Sequence, residues 1–326
     1  MFGTEFSSVA ELEDMTNNFA RASRHPVFVD HSQTYQDGEG HEVSDLASLQ
    51  SQDDVHVIWN NRDDRRSYIG STRYNLIQHR EVVDAVREAI GNTVGEIDKG
   101  VVRDYGEHVN GVLVLDSDKS FLNVEEIVGD GYVPPEGSAW TRDRLGLGMR
   151  FWNSFDGRSK FGGSVMAYRY ICQNWMVWGE ETISEKEDFH IKSSTSDVGI
   201  DPDYFEEVIA EVFERREMLT EVVKEAEEEH VYPLSWVPGQ LERAGFGTEY
   251  QRNIVYTLLQ QEIPNDEITS WRVYNAVTTH LDHSRAEEMG PEPYNQRQEA
   301  AWKLLTNKPK APKIEIPNLQ KFARKA

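Results

Sequence analysis

Apolar residues recur at helical spacing in "REVVDAVREAIG", where Val82, Val83, Val86 and Ile90 share one face and Glu81, Asp84, Arg87 and Glu88 the other. The spacing predicts a packed amphipathic helix stopped by Gly91, with Tyr74, Leu76 and Ile77 forming a short strand that enters it. The period changes in "LGLGMRFW": Leu145, Leu147, Met149 and Phe151 alternate with Gly146, Gly148, Arg150 and Trp152. Together with "GGSVMAYRY" this reads as a β-hairpin, turning through residues 154–159 with Asp156-Gly157 as its chemical signal. "GVLVLDSD" is the clearest single strand, and "DGYVPPEGSAW" is a loop, because paired prolines cannot sit in a central strand. Val165, Ala167 and Tyr168 lead into "ICQNWMVWG", which either begins a helix or ends a strand.

Beyond Asp201 the pattern is helical. Phe205, Val208, Ile209, Val212 and Phe213 share a face in a long acidic helix over 202–230, and four shorter helical patterns follow. The chain divides into an N-terminal appendage (1–60), an α+β core with β-hairpins (61–200), a helical region packed on it (201–306) and a flexible basic tail (307–326). The appendage holds a short amphipathic helix with Ser8 as its cap and a strand at "DVHVIWN". The expected fold class is α+β: a central, mainly antiparallel sheet, covering helices and a helical C-terminal half.

Charge adds a milieu. The formal net charge is −23, spread over every predicted element, and arginine outnumbers lysine in residues 1–160. A carboxylate-rich, lysine-poor coat suits high salt, where repulsion is screened. It opposes long-range attraction to nucleic acid and leaves room for a local basic patch. One cysteine excludes an internal disulfide and a multi-cysteine zinc site. No signal-like N-terminal run and no bilayer-length apolar stretch is visible, so a cytoplasmic protein without membrane partners is expected.

The candidate chemistry is sparse. His280 and His283 flank Asp282 on one helix face, a spacing that suits either a metal with a third ligand elsewhere or a hydrogen-bonded helix end. Cys172 has apolar, aromatic neighbours, the setting of a small core residue more than of a nucleophile. Walker, dinucleotide and GxSxG signatures are missing, so no cofactor and no catalytic residue is expected. Arg150, Arg158, Lys160 and Arg169 lie close in sequence to Trp152, Phe155, Phe161, Tyr168 and Tyr170. Guanidinium groups among aromatic faces make a single-strand platform; core aromatics with solvated arginines opposite give the same pattern. Residues 62–74, "RDDRRSYIGSTRY", have the same ambiguity.

Three segments together resemble one family: "RYNLIQHREVVDAVREAI"; "NSFDGRSKFGGSVMAYRYICQNWMVWG", with an Asn-Ser-x-Asp-Gly turn and an Arg-x-x-Cys-x-Asn element; and "WRVYNAVTTHLDHSR". Their order and spacing resemble the phage/plasmid-like family of the domain of unknown function 932, over roughly residues 65–305. The positions that match are Asn153, Ser154, Asp156, Gly157, Cys172, Asn174, Asn275, Thr278, Asp282 and His283. The resemblance implies a gene of viruses, plasmids or integrated elements and implies no reaction. Asx turns and caps account for many of these residues.

Three readings follow. The first is a non-enzymatic protein that binds or anneals single-stranded DNA in replication or recombination, using Arg150, Trp152, Phe155, Arg158, Lys160 and Arg169, and forming homo-oligomers. The second is a self-assembling structural or regulatory protein. The third is a metal-dependent nuclease built on His280, Asp282 or His283.

Overall fold

The computed structural model describes residues 4–30, 34–36, 42–44, 49–71, 74–129, 143–157, 161–170, 174–177, 200, 202–229, 233–259, 268–284, 291–306 and 315–323. The chain opens with β1 (Thr4–Phe6) and α1 (Val9–Thr16), whose N-cap Ser8 accepts from Glu11 N. Next come β2 (Ala22–Asp30), β3 (Thr34–Gln36), β4 (Glu42–Ser44), β5 (Leu49–Asn60) and β6 (Arg65–Ser71). The helix α2 (His79–Thr93) leads into β7 (Ile97–Asp104), β8 (His108–Leu115), β9 (Phe121–Asn123) and α3 (Val124–Val128). The central motif forms β10 (Arg144–Ser154), β11 (Gly162–Arg169) and β12 (Asn174–Val177). The helical half comprises α4 (Pro202–Glu214), α5 (Arg216–Glu228), α6 (Val237–Arg243), α7 (Thr248–Leu259), α8 (Ser270–Ser284), α9 (Pro291–Thr306) and α10 (Leu319–Phe322).

The architecture is α+β: a curled antiparallel sheet with helices on it and a helical C-terminal half. The main sheet runs β1-β7-β8-β10-β11-β12, and β9 pairs with the start of β10. A separate three-stranded sheet runs β2-β5-β6. Alternation decides the two faces of the main sheet. Leu145, Leu147, Met149 and Phe151 of β10 join Leu113 and Leu115 of β8 and Val165 and Ala167 of β11 in the large core. On that face lie α2, through Val82, Val83, Val86 and Ile90, and α4, through Phe205, Val208 and Val212. Burying each such side chain contributes about 1.5–3 kcal/mol.

Several elements differ from the expectations of pattern alone. The helix α2 continues past Gly91 and ends where Gly95, at φ +89°, returns its N–H to Ile90 O at 2.7 Å. That left-handed position, free to glycine, ends the helix. Residues 75–78 are irregular. Here the Gln78 amide replaces a strand partner, accepting from Ala22 N at 3.0 Å and donating to Ala22 O at 2.9 Å. The 174–177 segment is a strand. The long acidic helix is two, α4 and α5, meeting at Arg215.

The N-terminal region is built into the body. The strand β1 adds to the edge of β7, Phe6 and Leu12 are buried in the core, and β5 pairs with β6 across the boundary expected at residue 60. Residues 315–323 of the basic tail are seated too. Ile316 N donates to Ser235 O at 3.1 Å, and Leu319 and Phe322 pack against the core beside α7. These apolar positions hold a segment whose charge suggested a free tail. Among the described residues no helix is long and apolar enough to cross a membrane.

Candidate nucleic-acid interface

The second face of the main sheet has its own cluster, made of strand and strand-end residues among those described: Val101, Val112, Val114, Met166, Tyr168, Tyr170 and Trp175, with Phe121 at its border. The register adds cations. Arg103 of β7 stands opposite Asn110, Asn110 opposite Trp152, and Arg150 opposite Val112. Lys99 stands opposite Val114 in the next row of the same face.

Each cation on this face has an aromatic partner. The Arg150 guanidinium lies 4.8 Å from the Trp152 ring centre, and its Nε donates to Asn110 Oδ1 at 3.3 Å. Lys99 Nζ lies 4.6 Å from the Tyr168 ring centre and donates to the Tyr168 hydroxyl at 2.9 Å. Arg144 lies 3.4 Å from the Phe121 centre and 5.5 Å from that of Tyr170. Arg103 donates to the hydroxyl of Tyr105, an exposed ring at the rim. Such contacts fix the rings and leave the positive charge in place. The strand glycines make room for them. A Cβ on Gly162 would stand 2.6 Å from the Trp152 ring, and one on Gly146 would stand 3.0 Å from that of Tyr170. Tyr170 donates its hydroxyl to Asp98. Burial first, then this bond, raises the phenol well above the ordinary tyrosine range.

The residues singled out in the sequence do not form one group. Arg150, itself buried, and Trp152 belong to this second face of the main sheet. Arg169 aligns with Leu145 on the other face, buried against Asp143. Its Nε donates to Asp143 Oδ1 at 2.9 Å, a second bond runs from Nη2 to Oδ2, and its guanidinium lies 5.2 Å from the Trp271 ring centre. This is a sealed ion pair tying the entry of β10 to β11 and α8. Phe155 is fully enclosed, stacked on His79 with ring centres 3.9 Å apart. Its aromatic face is therefore not presented to solvent in this fold. Arg158 and Lys160 lie outside the described residues, as does Cys172.

The Asn-Ser-x-Asp-Gly turn is a joint. Asn153 Nδ2 donates to Ile77 O at 3.0 Å and meets His79 Nδ1 at 3.1 Å, joining β10 to the start of α2. The other His79 nitrogen faces Gly106 O at 3.2 Å, so Nε2 carries the proton and Nδ1 accepts. Ser154 donates to Asp156, whose Oδ2 lies 3.0 Å from His108 Nε2 on β8. Gly157, at φ +68°, lies against Tyr68 of the smaller sheet; a Cβ there would stand 2.5 Å from the ring. Tyr74 packs half-buried beside this joint, and burial of its ring, then the Asp156 charge, raises its phenol.

The later motif is also a fastening. Asp282, fully buried, accepts from Trp175 N at 2.6 Å, and Gln298 Nε2 of α9 donates to Trp175 O at 3.1 Å. Strand β12, opened by Asn174, is thereby clamped to α8 and α9. Asn275 donates to Trp271 O at 2.6 Å, and Thr278 donates to Asn275 O at 3.1 Å. His280 packs edge-on against Tyr250 with ring centres 5.1 Å apart, and His283 lies in the last turn of α8. Among the described residues no three His, Cys, Asp or Glu side chains gather as metal ligands.

Lys99, Arg103 and Arg144 were not singled out from the sequence. Their signal is period-two placement: Lys99 and Arg103 flank Val101, and Arg144 shares parity with Arg150 on β10. The pairing of β7, β8 and β10 is what unites them.

No curated protein and no solved structure matches the chain. One family model, described as a domain of unknown function (DUF932), matches residues 68–304. The match takes in the joint at Asn153–Gly157, the clamp at Asp282 and Lys99, Arg103, Arg144 and Arg150 of the second sheet face, and leaves β1–β5 outside. The chain belongs to the DUF932 family.

Proposed function

We propose that the protein handles nucleic acid without catalysis, holding single-stranded DNA against the second face of its main sheet. The observation that supports this is the convergence of Lys99, Arg103, Arg144 and Arg150 on one sheet face of a chain with net charge −23. A cationic floor among aromatic rings serves backbone contact to a single strand. The setting suggested by the family resemblance is the replication or recombination of a virus or plasmid in a host cytoplasm. The acidic coat suits a saline interior, where long-range repulsion of DNA is screened. Fluorescence anisotropy of a labelled single-stranded oligonucleotide, in KCl from low to molar, tests the reading. Saturable binding that weakens with salt is expected, and no binding at tens of micromolar protein overturns it.

A second reading, homo-oligomeric self-assembly, rests on the smaller sheet. The inner face of that sheet packs Ile58 against Phe155, and its outer face leaves Val57, Trp59 and Ile69 partly open, with Ile69 47% exposed. Light scattering with and without oligonucleotide separates the readings: a homogeneous assembly indifferent to DNA favours the second. The nuclease alternative has less support, because Asp282 is engaged by the Trp175 N–H.

A further inference from the structure

The second reading, self-assembly, can be carried to a specific contact. Register builds the outer face of the smaller sheet in two rows. His25, Val57 and Ile69 stand across from one another in one row, and Ser23, Trp59 and Arg66 in the next. Between them, Arg24, Ile58 and Tyr68 turn inward, with Ile58 against Phe155. Ile69 and Arg66 are exposed, and the carboxylate at this face, Asp64, is taken up by Trp59 Nε1 at 3.1 Å. The face therefore offers an apolar centre with a positive charge beside it. Its complement is on the same chain. Among the described residues the most exposed large apolar side chains are Ile69, Tyr105 and Met218, and Tyr105 already meets Arg103. Met218 lies on α5, whose buried stripe is Leu219, Val223 and Ala226. Glu217, Glu221 and Glu225 are exposed beside it at helical spacing, and Lys224 is drawn to Glu228 at 3.9 Å.

We propose that the outer face of the smaller sheet of one copy docks on α5 of a second copy, bringing Ile69 to Met218 and Arg66 to Glu221. This contact rests on the self-assembly reading and gives it a direction. Copies of net charge −23 repel at a distance, but at physiological salt that repulsion is screened beyond about 8 Å, so the charges at the contact decide. Helix against helix would set glutamates against glutamates, whereas sheet against helix pairs unlike charges around two apolar side chains. The contact joins different surfaces, so it repeats head to tail along a ring or a filament.

Sedimentation velocity on the full chain, at one fixed salt concentration and without DNA, tests it. The sheet variant is Arg66→Glu with Ile69→Glu, and the helix variant is Met218→Lys with Glu221→Lys. The wild type is expected to assemble at tens of micromolar protein. Each variant alone should associate about tenfold or more weakly, and their equimolar mixture should associate again, because each keeps the face the other has lost. All four positions are exposed, and thermal melts confirm that the variants fold. Where one does not, the milder Arg66→Ser or Glu221→Gln takes its place in the same comparison. Loss of assembly in the sheet variant alone, with the helix variant like the wild type, means that sheet meets sheet. Wild-type assembly in both variants, or a mixture that stays monomeric, likewise overturns this contact and leaves self-assembly standing. A wild type that stays monomeric overturns the self-assembly reading and the contact with it.

Discussion

Arg150 and Arg169 lie on neighbouring strands and leave the sheet from opposite faces: Arg150 stands opposite Ser164 and Arg169 opposite Leu145. One is held over Trp152 on the second face, and the other is sealed against Asp143 beneath α8. Residues close in sequence and alike in chemistry therefore have separate roles.

The sealed pair is a stability element. Arg169→Ala removes the ion-pair partner of the fully buried Asp143 carboxylate, at a cost of about 3–5 kcal/mol. Replacing both partners with Leu and Met recovers most of that loss. Urea denaturation of the three proteins checks it; a single variant as stable as the wild type contradicts the assignment.

Gly157→Ala meets two obstacles, the left-handed backbone and the Tyr68 ring. The expected loss exceeds about 1 kcal/mol. A lowered urea midpoint with an unchanged slope is the predicted signature, and an unchanged midpoint would show that the joint to the smaller sheet is loose.

Asp282→Ala strands the Trp175 N–H and frees β12 from α8, for a loss of about 1–3 kcal/mol. Oligonucleotide affinity per folded molecule should not change. Thermal melts and anisotropy on the same samples separate the two effects.

High pH should act through Tyr74 and Tyr170, whose phenols are raised chiefly by burial. In the unfolded chain they ionise near about pH 10. The unfolded state then binds fewer protons than the folded one, so their contribution is intact below that pH and is lost as pH rises beyond it. Phenolate absorbance from both residues should appear only with unfolding. Full titration of every tyrosine near about pH 10 with the fold intact contradicts their burial.

Much of this fold is legible in the sequence, for local reasons. Alternation in β10 assigns Leu145 through Trp152 to their faces, and the valines of α2 declare its buried stripe. The site is less legible because it is a product of register. Lys99 and Arg150 are distant in sequence, and only the β7-β8-β10 pairing brings them to one face. Phe155 looks like an exposed hairpin tip until His79 supplies the ring that covers it. The N-terminal strands look detachable because Phe6 and Leu12 reveal their burial only once β7 and α2 are in place.

The most direct test sets two double variants with the same charge change against each other: Lys99→Gln with Arg103→Gln on the main sheet, and Arg65→Gln with Arg66→Gln on the smaller one. Arg65 and Arg66 are exposed and Lys99 and Arg103 half-buried, so thermal melts of both proteins accompany the binding curves. Binding on the second face of the main sheet predicts a loss of single-strand affinity of about tenfold or more for the first pair and less than about twofold for the second. Equal losses, or the larger loss in the second pair, would place the DNA elsewhere on the molecule.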